Sequence, residues 1–192
     1  GMGDEGLPVG RRFSEAELAG ALRRQGLIDL AEHGELGTGH VAEDRRDGVP
    51  GQRMAFAHIA GADQADAERA LARGADFLVS PHPVAAARAP AHAQDVLFVE
   101  GGTTPAEIGE ATDRGVAKVF PAHLGGPPYL KSLLSILPGA RIIPTGGITV
   151  SEVPTWLDAG AFAVGVGSDL YAADDLEAKM SELRELVGPG RS

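Results

Sequence analysis

The chain has 192 residues, 43% of them hydrophobic, and a formal net charge of −10, enough for one substantial core and one domain over 1–192. The acidic balance, with no local basic patch, argues against a nucleic-acid partner, and the absence of cysteine excludes disulfides, thiolate zinc sites and cysteine nucleophiles. The first residues lack a signal peptide's basic and apolar regions, and no run approaches a membrane span, so a soluble cytoplasmic protein is expected.

Residues 1–13 read as a tail or a degenerate first strand. Ser14 stands at an N-cap with Glu15 and Glu17 in the first turn, which predicts a helix over 15–24. A short strand fits 27–31, and the polar, glycine-rich stretch 34–51 predicts a long loop. From Gln52 onward short apolar runs alternate with amphipathic stretches. The spacing predicts a strand over 53–59, a helix over 63–73 and a strand over 76–80. A short helix or turn over 84–91, a strand over 95–99 and a helix over 104–113 repeat the unit. Strands over 116–120, 141–144 and 163–166 follow, with helices over 129–137, 153–159 and 176–186. Strands about 20 residues apart, each followed by a helix, predict parallel βα units rather than hairpins. Right-handed crossovers allow an open doubly wound sheet or a closed barrel, and periodicity does not choose between them.

Lys118 lies inside the apolar run from Val116 to Phe120. An ammonium group there costs free energy unless it is paired, neutralised or used. Desolvation favours the free amine, which makes Lys118 a candidate Schiff-base nucleophile. The plainer alternative is a lysine whose stem packs while its head reaches water at a strand end. Further on, Ile142-Ile-Pro-Thr-Gly-Gly-Ile148 and Gly165-Val-Gly-Ser-Asp-Leu-Tyr171 carry glycines suited to a cradle of backbone N–H groups for phosphate, or to tight turns and close packing. His82, His92 and His123 have no metal-ligand spacing, so neither metal nor cofactor is expected. Trp156 and Tyr129 fall in helical patterns and read as packing residues.

In this order, Lys118, Phe120, Pro121, the Thr145-Gly-Gly-Ile148 turn and the Gly165 to Tyr171 segment resemble the KDPG/KHG aldolase family over 56–172. Gly126-Pro-Pro-Tyr-Leu-Lys131 and Ser168-Asp-Leu-Tyr171 look most like its 2-keto-3-deoxy-6-phosphogalactonate aldolase branch. The resemblance implies an α/β fold, a (β/α)8 TIM barrel, assembled as a homotrimer. It also implies a class I aldolase that cleaves a 2-keto-3-deoxy-6-phospho-sugar acid to pyruvate and glyceraldehyde 3-phosphate. Lys118 would form the imine. Thr145, Gly146, Gly147, Gly167 and Ser168 would hold the phosphate, and Pro81 and Phe120 would line the substrate pocket. The partners implied are the phosphorylated keto acid and pyruvate. The alternatives are a catalytically impaired relative that binds a phosphorylated metabolite, and a different barrel lyase that uses the phosphate site alone.

The rest of the family pattern is altered. Its acid/base glutamate aligns with Ala31, and Glu32 is one residue off, which on a strand means the opposite face unless a bulge intervenes. Its nearby arginine has no match. Ala60 replaces a threonine, and Glu100-Gly101 replaces a Pro-Gly. His58 and Glu100, at expected C-terminal strand ends, join Glu32 as candidates for a relocated acid/base.

Overall fold

The computed structural model describes residues 27–29, 56–58, 64–72, 75 and 77–187, the first two segments by their backbone alone. The elements are β1 (Leu27–Asp29), β2 (Phe56–His58), α1 (Gln64–Ala72), β3 (Phe77–Val79), α2 (Ala85–Ala93), β4 (Leu97–Gly102) and α3 (Pro105–Asp113). They continue with β5 (Val116–Val119), α4 (Gly126–Ile136), β6 (Arg141–Pro144), α5 (Val153–Asp158), β7 (Val164–Val166), α6 (Ser168–Tyr171) and α7 (Leu176–Val187). The helix expected over 15–24, the loop over 34–51, the tail over 1–13 and Glu32 lie outside the described residues.

Every strand pairing is parallel, as the βα spacing predicts. β2 to β6 lie side by side in sequence order, and β1 pairs with β7. A parallel bridge between Thr145 and Gly165 joins the two groups, and the Phe162 N–H donates to the Ile142 carbonyl at 2.9 Å. The resulting order, β2-β3-β4-β5-β6-β7-β1, is what successive crossovers of one hand produce. It is an α/β fold of parallel strands.

Alternation along the strands sorts the core into two faces. Ala117, Val119, Ile142, Val164 and Val166 pack beneath the helices with Ile108, Leu130, Leu133 and Trp156. Leu78 packs in the same layer with Ala67, Leu71, Val84 and Ala87. Phe77, Val79, Val99, Val116, Ile143 and Ala163 form a separate cluster on the other face, supplied by the strands and the residue leading into β7. Both faces are therefore buried, which is why the strands read as nearly continuous apolar runs. Each fully buried branched side chain contributes about 1.5–3 kcal/mol.

Three elements depart from the expected boundaries. β4 runs on to Gly102 because Gly101 and Gly102 pair with Lys118 and Val119, so tertiary pairing overrides the poor strand propensity of glycine. α4 begins at Gly126, before the expected 129, because Pro127 and Pro128 occupy its first turn, where a missing N–H costs no helical bond. α6 is a single turn, too short for any periodic signal. By contrast α3 starts where expected. Thr104 accepts the Glu107 N–H, and the Glu107 carboxylate accepts the Thr104 N–H in return.

Candidate active site

The third residue of β5 is Lys118, on the strand-lined face, in register between Gly101 of β4 and Ile143 of β6. Only 2% of its surface is exposed. Its Nζ lies 4.8 Å from the centre of the Phe120 ring, a cation–π distance when the amine is protonated. The sequence expectation of a desolvated lysine therefore describes its surroundings, and the alternative of a head reaching bulk water does not.

The wall on the β4 side is backbone. A Cβ built on Gly101 would lie 2.4 Å from Pro81 C and O and 2.5 Å from Ser80 O. The chain leaving β3 thus occupies the space a side chain at 101 would fill, next to Lys118. Glycine is required there for close approach. Ser80 is fully buried and donates its hydroxyl to the His82 carbonyl at 2.7 Å. Of the two residues expected in the pocket, Phe120 lies beside the amine and Pro81 packs over Gly101, the register partner of Lys118.

On the β6 side the chain turns at Gly146 (φ +94°) and Gly147 (φ +70°), a backbone region that disfavours other residues. Gly146 lies against the Phe120 ring, and Gly147 lies under the His123 ring. The segment after β5 is stitched to this turn: Ala122 N–H donates to the Thr145 carbonyl at 2.8 Å and His123 N–H to the Gly146 carbonyl at 3.2 Å. Contacts therefore run without a gap from the glycine turn through Phe120 to the Lys118 amine. Thr145 packs its side chain against Gly165. Its Oγ1 is buried and, among the described residues, has no hydrogen-bond partner.

Gly167 and Ser168 follow β7, which runs parallel beside the end of β6, so both glycine loops leave the C-terminal ends of neighbouring strands. Asp169, which the sequence reading did not single out, ties the two glycine loops together. Its Oδ2 accepts the Val150 N–H at 2.8 Å and lies 3.5 Å from Lys179 Nζ. At the end of β4, Thr103 Oγ1 donates to the Phe120 carbonyl at 2.7 Å, and the Tyr129 hydroxyl donates to the Thr103 carbonyl. Burial, then the neighbouring Glu107 charge, pushes the Tyr129 hydroxyl up from its usual pKa.

Of the acid/base candidates, Glu100 faces away from Lys118. Glu100 pairs in register with Ala117, so its carboxylate projects from the face opposite Lys118. It accepts the Val84 N–H at 2.6 Å, Arg88 Nε at 3.1 Å and Arg114 Nη2 at 2.5 Å. Burial raises its pKa, but the bonds from Arg88, Val84 and Arg114 outweigh burial and hold it below the usual carboxylate value. The expectation of Glu100 as a proton shuttle is corrected: strand alternation makes it a structural ion-pair centre. His58 pairs in register with Val79 at the end of β2, where the backbone alone is described. Glu32 lies outside the described residues.

Lys118 is thus buried on the strand-lined face, and the Gly146-Gly147 turn adjoins it through Phe120. The family profile described as KDPG and KHG aldolase matches residues 48–185. The chain belongs to the KDPG and KHG aldolase family. It is 36% identical over 110 residues to a 2-dehydro-3-deoxy-6-phosphogalactonate aldolase of Escherichia coli (strain K12), covering 54% of this chain and 53% of that protein. It is 34% identical over 113 residues to a 2-dehydro-3-deoxy-phosphogluconate aldolase of Zymomonas mobilis subsp. mobilis, covering 57% and 53%. The chain thus spans about half the length of these KDPG-type relatives. A crystal structure of the 2-keto-3-deoxy-6-phosphogluconate aldolase of Z. mobilis ZM4 with 3-phosphoglycerate superposes with a TM-score of 0.57 at 30% identity, covering 67% of this chain and 64% of that one.

Proposed function

We propose that this protein is a class I aldolase that cleaves a 2-keto-3-deoxy-6-phospho-sugar acid to pyruvate and glyceraldehyde 3-phosphate. The observation that carries this reading is the Lys118 amine, 2% exposed and walled by Phe120 and by the Pro81 backbone over Gly101. The amine attacks the C2 keto carbon, and loss of water leaves a protonated imine. A base takes the C4 hydroxyl proton, the C3–C4 bond breaks, and its electron pair moves into the imine to give an enamine and the free aldehyde. Protonation at C3 and hydrolysis of the imine release pyruvate and restore the lysine.

The phosphate is assigned to backbone N–H groups of the turns at Gly146, Gly147, Gly167 and Ser168. Two facts support this: the loops leave the C-terminal ends of neighbouring strands, and the related Z. mobilis structure was determined with 3-phosphoglycerate. Thr145 Oγ1 is the hydroxyl in this region that a bound substrate would satisfy. The proton shuttle is assigned to Glu32 or His58, since Glu100 faces away. The reading includes a single domain, closure of the strands into a (β/α)8 barrel and a homotrimer. Among the described residues no helix is long and apolar enough to cross a membrane.

Borohydride trapping with pyruvate tests the reading. A reduced pyruvyl group on Lys118, located by mass spectrometry, is the expected result, and no adduct in the folded protein would overturn it. A second reading, phosphorylated-metabolite binding without turnover, draws on the placement of Glu100. Release of pyruvate from a keto-deoxy-phospho-sugar acid would reject it.

A further inference from the structure

Two consecutive residues of β4 hold the two ends of one loop. Gly101, on the Lys118 face, receives the Ser80–Pro81 backbone in the space of its missing side chain. Its N–H also points to Ser80 Oγ at 3.4 Å, and the Ser80 N–H bonds the Val99 carbonyl at 3.1 Å. Glu100, on the helix-covered face, takes the Val84 N–H at 2.6 Å where α2 begins. Between these anchors runs the segment 80–84, whose Ser80–Pro81 backbone packs over Gly101, the register partner of Lys118. Neighbouring strands lie about 4.8 Å apart, so a displacement of this wall by one ångström changes the space at the amine appreciably.

The carboxylate is itself immobilised. It is 1% exposed as a residue, Arg88 donates Nε to both oxygens at 3.1 Å and Nη2 to Oε1 at 3.0 Å, and Arg114 meets Oε2. Arg88 projects from α2 and Arg114 from the end of α3. A buried carboxylate with several charge-assisted donors keeps one orientation, because any rotation leaves a buried charge unpartnered. An arrangement needed only to join two helices to the sheet would not require the Val84 N–H. That bond aims the hub at the loop.

We propose that Glu100 is a positioning residue for the Lys118 site, fixing the 80–84 wall by holding Val84 while Gly101 seats Pro81. The proposal deepens the aldolase reading and rests on it for the identity of the small molecule at the amine. It gives the altered Glu100-Gly101 pair one joint purpose on opposite faces of a strand.

The test uses the full chain and its Glu100→Ala and Glu100→Gln variants. The pyruvate concentration giving half-maximal borohydride trapping at Lys118 is expected to rise about five- to tenfold in Glu100→Ala, with a smaller change in the saturating trapping rate. Glu100→Gln, whose amide oxygen still accepts the Val84 N–H, is expected to stay within about twofold of the parent. Inorganic phosphate binding is expected to be unchanged in both, because the loops after β6 and β7 are untouched. Hydrogen exchange at the 84–87 amides is expected to accelerate in Glu100→Ala while the α4 and β6 amides keep their protection. If Glu100→Ala does not fold, Arg88→Met, which keeps the carboxylate but frees it to turn, is expected to raise the half-maximal concentration about three- to fivefold, beyond the range of Glu100→Gln. Trapping at Lys118 with an unchanged half-maximal concentration would overturn the proposal, as would unchanged exchange at 84–87. If the parent chain traps no pyruvate, the aldolase reading fails, and hydrogen exchange decides the wall by itself.

Discussion

Substituting alanine at two glycines separates backbone crowding from glycine's conformational cost. At Gly101 the new methyl would lie 2.4 Å from Pro81 C and O and 2.5 Å from Ser80 O, all backbone atoms. None of them can rotate aside, so the β3–α2 connection must move as a unit. Overpacking of this kind costs about 1–3 kcal/mol even where side chains can adapt, and the rigid contacts place Gly101→Ala at or above roughly 3 kcal/mol. For a protein of this size each kcal/mol lowers Tm by about 2–4 °C, so a fall of roughly 6–12 °C is expected. At Gly109, inside α3, the methyl would meet Leu137 Cδ2 at 3.5 Å, an ordinary contact. There alanine should gain about 0.8–1 kcal/mol of helix propensity. Urea unfolding of both variants beside the parent, with the denaturant slope checked for constancy, is the assay. Gly101→Ala within about 0.5 kcal/mol of the parent would refute the claim that the wall is seated on Gly101.

Four further outcomes follow from the site. Lys118→Met is expected to fold and to lose pyruvate trapping completely; an adduct elsewhere in the variant would reassign the nucleophile. Gly147→Ala forces an alanine to φ +70° at about 1–2 kcal/mol of strain. Titration calorimetry is expected to show weakened inorganic phosphate binding, and unchanged affinity would remove Gly147 from the cradle. Glu100 has a folded pKa below its unfolded one, so the stability it contributes is complete above the unfolded pKa and is lost as pH falls through the depressed folded value. Acid titrations of stability should therefore be shallower over that window in Glu100→Gln, and parallel curves would contradict the assignment. Thr104→Ala removes the reciprocal cap of α3 and is expected to cost about 1 kcal/mol by urea unfolding.

Much of the chain could be read locally. The short apolar runs and the amphipathic stretches between them placed most boundaries within a few residues, because such patterns act over one or two turns. Lys118 stood out for the same reason: a charge in an apolar run is visible without knowing its neighbours. The mistaken expectation for Glu100 is equally instructive. It was expected at a C-terminal strand end, but it is the fourth of six residues in β4, with its side fixed by pairing to β5. The sequence ended that strand at Val99, whereas pairing with β5 carries it to Gly102 and turns Glu100 toward Arg88 and Arg114.

The sequence by itself determined the alternation of strands and helices, the desolvated lysine and the glycine turns, since each follows from a run of neighbouring residues. Tertiary structure alone decided which groups meet. The register of β4 against β5 sets Gly101, not Glu100, beside Lys118. The close approach of Pro81 to Gly101 builds the wall, and Asp169 reaches Val150 across 19 residues to join the two glycine loops. These contacts are invisible to any local reading. In a parallel sheet the facing residues are about 20 positions apart, and a shift of one in register exchanges the two faces.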